Sequence, residues 1–518
     1  MRKINKADIN NLLSQRFKDD IHNCLKTIPQ PEVFKDMQKA TKRIAQAIKN
    51  NEKIAVIGDY DVDGIISSII MSEFFDKINK NIIIKIPNRF CDGYGINENI
   101  VREIDASLII TVDNGITAFE AANLCEKLGK TLIITDHHEA LEELPNAYAI
   151  INPKQKDCEF KKYVNCEICG AQVAWYLCVA LKKELNLNID MSEFLDILAI
   201  AIISDMMPLL DINRNLVKVG MNKINNLNRQ AFKIIANHYK KQNFTYENIS
   251  FMIAPLLNSS GRMDDASISF NFLKHKNYDD AYNEFLKIQQ FNTERKEEEI
   301  RGFEQAKEFN TNDNFIVAYS NDWHKGVLGI IASRLAKEFN KPSFVFNIEN
   351  NVAQGSARSV ANIDLLEILN DAEYLFDNFG GHKGACGIKI KEENIKEFIK
   401  YLQKIDLNYD SFCNTNNVLG ELELKEIDYE LMNILNFYEP YGQANEKPEF
   451  ILKNISIFDS MLINEKHLKC NINKNCEAIY FNHNNIYPNG SKINIRFTLG
   501  INNFYKIPKI QLNILDIF

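Results

Sequence analysis

Residues 54–64, IAVIGDYDVDG, constrain the fold more than any other stretch of this 518-residue chain. The apolar run Ile54–Ile57 has the length of a short buried strand, Gly58 ends it, and the apolar stretch Ile65–Phe75 reads as a helix. Asp59, Asp61 and Asp63 fall at every second position of the handover from strand to helix. That handover is the usual location of a site in an open α/β sheet. Two later segments repeat the design. Leu108–Val112 is an apolar, β-branched run that ends in Asp113-Asn114-Gly115, and Leu132–Thr135 ends in Asp136-His137-His138. A further acid, Asp205, follows the helical run Leu195–Ile203.

Clustered carboxylates repel one another, by about 4 kcal/mol per ionised pair at ~4 Å and an effective dielectric of ~20. Such a cluster calls for hard divalent cations on oxygen ligands. An Asp/His set with open positions suits Mn²⁺ or Mg²⁺ better than a closed structural zinc site. Two ions bridged by a shared carboxylate would clamp a phosphate for in-line attack. Any one Asp after a strand is most often a helix cap or turn residue. That reading does not explain four acid-bearing segments and a His pair within one alternating pattern. A cation site without chemistry is the weaker account, because open positions beside histidines are what hydrolysis needs.

With Asp136-His137-His138 as its named triplet, the chain resembles the DHH phosphoesterase superfamily. Gly58–Gly64, Thr111–Ile116 and Ser204-Asp205 match three further motifs of that superfamily. Within it the chain resembles the RecJ family of single-strand-specific exonucleases over nearly its whole length. That likeness rests on Ile150–Asp157 (IINPKQKD), Gly170–Trp175, Ala254–Met263 (APLLNSSGRM), Trp323–Leu335 (WHKGVLGIIASRL), Gly355–Ser359 (GSARS), Phe379–Gly387 (FGGHKGACG) and Glu439–Phe450 (EPYGQANEKPEF). The resemblance implies a doubly wound, mainly parallel DHH sheet, a long connector helix, a second α/β DHH-associated domain and a C-terminal OB-like β-barrel. It implies 5′→3′ hydrolysis of single-stranded DNA to mononucleotides in DNA repair and recombination. Single-strand-binding protein and a helicase are partners by resemblance alone. On this reading Asp61, Asp63, Asp113, His137 and Asp205 hold Mn²⁺ or Mg²⁺, expected as two ions, with Asp113 as the bridge and Asp59 as a further ligand. Asp136 is either a ligand or the partner that orients His137. His138 contacts the substrate phosphate or assists proton transfer.

Length predicts three or four domains at ~150 residues each. The expected boundaries are an N-terminal helical segment at 1–50, a catalytic domain at 51–275, a connector helix at 276–310, a substrate-binding domain at 311–410 and an OB-like barrel at 411–518. Hydrophobic content of 45% and charged content of 25% match a soluble globular protein. No apolar stretch approaches ~20 residues, and the basic N-terminus lacks an apolar signal core, so neither a membrane span nor a secretory signal is expected. Cytoplasmic residence follows by default. The eleven cysteines then read as reduced thiols rather than a disulfide framework. Cys166-x-x-Cys169 lacks a second half-site and reads as structural. A net charge of −8 cuts against a broad basic footprint, but the acids of a metal cluster count towards it and nucleic-acid contact can be local to a channel.

From Tyr278 to Phe309 the pattern is a long helix whose charged run Glu294–Arg301 reads as a solvated connector. In the second body, Gly355–Ser359 reads as a tight turn whose amides and Arg358 grip phosphate, with Ser356 beside it. Gly380-Gly381-His382 reads as a glycine-rich approach to a ligand, and Arg262 as another phosphate hand. His324 is either a ligand group or a helix cap. Short alternating runs after residue 414 read as strands of a small barrel. There Tyr480, Phe481, Tyr487, Phe497 and Tyr505 are either base-stacking or core residues. The alternative function is a DHH-type phosphodiesterase or pyrophosphatase acting on short oligonucleotides, cyclic dinucleotides or pyrophosphate. A binding scaffold with a decayed site is opposed by the intact Asp/His set.

Overall fold

In the computed structural model, residues 2–310, 313–407, 417–502 and 508–518 are described. The strand Ile54–Ile57 (β1) is buried at every position and lies inside a five-stranded, wholly parallel sheet. The others are Ile83–Lys85 (β2), Leu108–Val112 (β3), Thr131–Thr135 (β4) and Ala149–Ile151 (β5), in the order β2-β1-β3-β4-β5. Both faces are covered, which is why these strands read as continuous apolar runs. Ile54 and Val56 enter one core and Ala55 and Ile57 the other. Val112 pairs with Thr135 across β3 and β4, so Asp113 and Asp136 leave the sheet side by side. The helix Val62–Lys77 begins where β1 delivers its acids, and Asp61 caps it by accepting from the Gly64 amide at 3.0 Å. A Cβ at Gly64 would lie 2.5 Å from the Asp59 nitrogen, so only glycine lets the acidic loop fold back on the first helical turn.

The 29-residue helix Tyr278–Ala306 joins two cores. Ala281, Phe285 and Ile288 are buried with the catalytic domain, whereas Phe303 and Ala306 are buried with the second body. Its charged run is not wholly solvated: Arg295 is buried and bonds Asn292 and Glu299.

The second sheet runs β6-β7-β8-β10-β9, from Ile316–Ser320 (β6), Ser343–Glu349 (β7), Val352–Arg358 (β8), Phe376–His382 (β9) and Ala385–Lys391 (β10). This corrects the turn expected at Gly355–Ser359. Residues through Arg358 form a strand flanked by β7 and β10, so their amides serve the sheet rather than an anion nest. Gly380, Gly381 and His382 likewise close the edge strand β9. Small residues are needed at Gly355 because a Cβ there would lie 2.3 Å from the Phe346 ring.

The C-terminal strands are Val418–Glu421 (β11), Glu449–Ile463 (β12), His467–Asn471 (β13), Cys476–Tyr480 (β14), Ser491–Asn502 (β15) and Lys509–Ile517 (β16). They run β11-β12-β13-β14-β16-β15, and β12–β15 pairing closes the last five into a barrel. Phe497 is core and cannot stack on a base, whereas Phe481 is 53% exposed. Tyr505 lies outside the described residues. The N-terminal residues divide between the bodies. Ile4, Ile9 and Leu13 are buried with the barrel, and Met37, Ala40 and Ile44 with the catalytic domain.

Candidate functional site

The parallel sheet brings its acids and histidines to one point. His137 Nε2 stands 3.2 Å from Asp113 Oδ1, 3.6 Å from Asp205 Oδ2 and 3.7 Å from Asp63 Oδ2. Three sets of candidate ligands have their donor atoms within 4.8 Å: Asp113, His137 and His138; Asp63, His137 and Asp205; Asp59, Asp61 and Asp113. Asp113 and His137 each belong to two of them, and of the two only the carboxylate has a pair of oxygens to share. Asp113 also sits at φ 64°, the left-handed region, a strained conformation of the kind that clusters at functional sites.

Asp136 stands apart from these sets. Its Oδ2 accepts from the Ile116 amide at 2.9 Å. Its Oδ1 accepts from the amides of His137 (2.7 Å) and His138 (3.1 Å), and lies 2.7 Å from His138 Nδ1. The imidazole that it orients is therefore that of His138, not His137. Asp63 is held by two amides at the start of the helix Gly170–Glu184, from Gly170 at 2.6 Å and Ala171 at 2.9 Å. A helix N-terminus favours such a carboxylate.

The electrostatics show what the cluster lacks. Burial, and then Asp63, Asp61, Asp59 and Asp205, hold the Asp113 carboxyl well above the ordinary range. Burial and Asp61 do the same to Asp59. Asp205 is pushed up to about 9 by burial, Asp63 and Asp61. Burial lowers His137, keeping its nitrogen available as a ligand. Asp113 Oδ1 and Asp205 Oδ2 are buried and accept no hydrogen bond among the described residues. Orphaned oxygens among mutually repelling carboxylates are a donor set that fits a hard divalent cation. His138 differs: burial opposes its charge, but the hydrogen bond and charge of Asp136 outweigh this and bring it up to about 9.

Adjoining the cluster, through Tyr60 and through Tyr94 against His138, is a cavity of 640 Å³ between the two bodies, lined also by Arg89, Arg262, Ser356 and Arg358 among others. Burial and the charges of Arg89, Arg295 and Arg358 lower Arg262 to about 10. Arg358 is lowered by burial and by Arg89. Among the described residues none of Arg89, Arg262 and Arg358 has a carboxylate within 4.0 Å. Three guanidiniums that line one cavity without a carboxylate partner are groups chemically suited to a phosphate. His382 ends the edge strand, is exposed and is not among the residues lining that cavity; burial, and then the charges of Arg358 and His138, lower its pKa. His324 caps the turn Lys325–Val327, its Nδ1 accepting from Gly326.

Sequence reasoning missed Arg89, Tyr60 and Tyr94. The Arg89 guanidinium lies 4.2 Å over the Tyr60 ring, and Tyr94 contacts both Tyr60 and His138 edge-on. The sequence signal was only a Pro- and Gly-flanked loop, residues 87–95. The Gly170 and Ala171 amides were missed too, since backbone donors have no residue signature.

The chain matches the DHH family, N-terminal domain, over residues 53–202, the DHHA1 domain over 312–405 and the RecJ OB domain over 420–516. It is 34% identical to the single-stranded-DNA-specific exonuclease RecJ of Bacillus subtilis over 94% of this chain, and spans 64% of that relative's length. It is 30% identical to the Escherichia coli protein of the same name, over 84% of this chain and 80% of that protein. A crystal structure of exonuclease RecJ bound to manganese superposes with a TM-score of 0.63 at 28% identity, over 71% of this chain and 94% of that one. A Thermus thermophilus RecJ structure with Mn²⁺ gives 0.84 at 23% identity, over 99% and 75%, a likeness of fold.

Proposed function

As the chain belongs to the RecJ exonuclease family, we propose that it is a divalent-metal-dependent exonuclease that removes 5′-mononucleotides from the 5′ end of single-stranded DNA, in DNA repair and recombination. One observation carries this reading: a cluster of acids and histidines adjoins, through Tyr60 and Tyr94, a cavity lined by three arginines that have no carboxylate partner among the described residues. The described residues contain no helix long and apolar enough to cross a membrane. Cytoplasmic residence belongs to the same proposal, as does a helicase that supplies single strand.

Asp61, Asp63, Asp113, His137 and Asp205, with Asp59 as a further candidate, would hold Mn²⁺ or Mg²⁺, expected as two ions. When bound, such ions polarise a phosphoryl oxygen and make water a nucleophile at neutral pH. The protein does the rest. Arg89, Arg262 and Arg358 grip the phosphate of the terminal nucleotide, and the Ser356 hydroxyl, 3.3 Å from Arg358 Nη1, steadies the fork. Asp136 fixes the His138 ring through Nδ1, which leaves Nε2 to carry a proton to the departing 3′-oxygen. On this reading the cleft between the two bodies admits one strand, and duplex without a helicase is degraded more slowly.

The test uses purified protein, Mn²⁺ and single-stranded DNA labelled separately at each end, with Asp136→Ala as control. Prompt release of the 5′ label as mononucleotide, with the 3′ label retained on shrinking fragments, is expected. Intact DNA, with turnover of dinucleotides or pyrophosphate instead, would move the chain to the small-substrate phosphodiesterases.

A further inference from the structure

Two helices that deliver acids to the cluster share a second meeting point away from it. In the helix Val62–Lys77, Asp63 stands in the first turn and Glu73 near the far end. In the helix Leu195–Ser204, Asp196 stands in the first turn and Asp205 caps the last. On each helix the two acids are roughly 15 Å apart along the axis. Arg229 joins the far pair. Its two Nη atoms donate to Glu73 at 2.5 and 3.2 Å, its Nε donates to Asp196 at 3.1 Å, and Nη1 also donates to the Leu273 carbonyl at 3.0 Å. The three side chains are 13%, 19% and 10% exposed, for Arg229, Glu73 and Asp196 in turn. Burial opposes the Arg229 charge, but Asp196 and Glu73 outweigh it and raise its pKa. Bridged there by Arg229, the helices meet again at His137 Nε2, 3.7 Å from Asp63 and 3.6 Å from Asp205.

The two acids of the cluster are not held alike. The Asp63 carboxylate accepts from the Gly170 and Ala171 amides, so its own end is fixed. Asp205 Oδ2 is buried and accepts no hydrogen bond among the described residues. Its place is set by the helix that precedes it, to which the Asp205 amide is bonded through the Ala201 carbonyl at 2.9 Å. That helix, LDILAIAIIS, is buried from Leu195 to Ile203, and Asp196 is its only charged residue. Apolar burial is non-directional, so it specifies the lengthwise position of such a helix weakly. A buried ion pair at its first turn can specify one register.

We infer that Arg229 is a positioning residue: by pinning Asp196 to Glu73 it sets how far the helix Leu195–Ser204 carries Asp205 towards Asp63 and His137, and so sets the affinity for the cation that those three would hold. The inference rests on the metal-dependent reading above. Arg229 acts from the far end of both helices and touches none of the three. Lysine in its place keeps the charge but is a point donor, without the planar fork that spans two carboxylates.

The test is calorimetric titration of the metal-free full chain with Mn²⁺, where the wild type is expected to show two binding events. Arg229→Lys is expected to weaken one event about tenfold and to leave the other within about twofold. The weakened event should be the one that Asp205→Asn abolishes. With single-stranded DNA, kcat of Arg229→Lys should fall at limiting Mn²⁺ and return at excess, with KM for the strand unchanged. A general loss of packing would instead weaken both events alike. If Arg229→Lys does not fold, Glu73→Gln, Asp196→Asn and Arg229→Met made together remove the bridge without leaving a buried charge unpaired, and the same selective loss is expected of them. Both events within about twofold of wild type, or equal weakening of both, would overturn the inference. A wild type that takes up no Mn²⁺ overturns the metal reading and this inference with it. Selective loss of one event in a chain whose wild type leaves single strands intact upholds the bridge and removes the exonuclease reading alone.

Discussion

Replacing Gly170 by alanine separates helix propensity from site geometry. Gly170 opens the helix Gly170–Glu184, and in a helix interior Gly→Ala ordinarily stabilises by about 1 kcal/mol. Here the added Cβ would lie 2.3 Å from Asp113 Oδ1 and 2.7 Å from its Cγ. Asp113 has no room to yield. It is 1% exposed, and its amide is bonded to the Thr135 carbonyl at 3.0 Å. Overpacking of this kind costs about 1–3 kcal/mol, so net stability falls by roughly 0–2 kcal/mol. The larger effect falls on the metal. Asp113 is pushed off its approach to His137, and the Gly170 amide moves with respect to Asp63. Disturbing the groups that orient metal ligands ordinarily costs about 10–100-fold in affinity. Calorimetric titration with Mn²⁺ should show that loss beside a small change in metal-free melting temperature. Gly129→Ala is the control: φ is +67° and no atom lies within 4 Å of its Cβ, so it loses stability without losing Mn²⁺. Mn²⁺ affinity in Gly170→Ala within about twofold of wild type would refute the argument that this helix start fixes the ligand set.

Further outcomes follow from the same geometry. Mn²⁺ at a hundred times its Kd should stabilise the fold by about 2.7 kcal/mol, and Asp113→Asn should melt higher than wild type without metal, because one repelling carboxylate is gone, yet lose Mn²⁺-dependent stabilisation and nuclease activity. Calorimetry with and without chelator checks both. Arg89→Met should raise KM for strands with a 5′-phosphate by about 10–100-fold, the worth of one charge-assisted hydrogen bond at ~1.5–3 kcal/mol, with a smaller effect on strands ending in a 5′-hydroxyl. Steady-state kinetics on the two ends decides this. The Asp20 carboxyl is pushed up to about 6, by burial first and also by the Asp211 charge. A raised carboxyl stabilises the fold fully below its unfolded value and loses that contribution as pH rises through about 6. Asp20→Asn should therefore melt higher than wild type near pH 7.5, with the gap closing near pH 4. A constant gap across that range would remove Asp20 as the cause.

Strand ends were legible because burial on both faces leaves an uninterrupted apolar run, and the first acid after each run marks its carboxyl end. Asp113 and Asp136 were found in this way, and the β3–β4 register puts them side by side. The local structure of residues 355–359 was misjudged for a specific reason. Glycine and serine at 355–356 look like a turn, but glycine is small there to fit beneath Phe346 in a strand. Arg89 was illegible because nothing periodic governs its loop. Its place is set by Tyr60 beneath it and by Arg262 and Arg358, far away in sequence. Composition misleads for a related reason. A net charge of −8 is an average over a surface, and it says nothing of a cleft that sorts its charges. Asp59, Asp61, Asp63, Asp113 and Asp205 gather in one cluster, and Arg89, Arg262 and Arg358 line the cavity beside it. Were divalent cations held by those acids, as proposed, a phosphodiester at their junction with the cavity would meet positive charge from both groups.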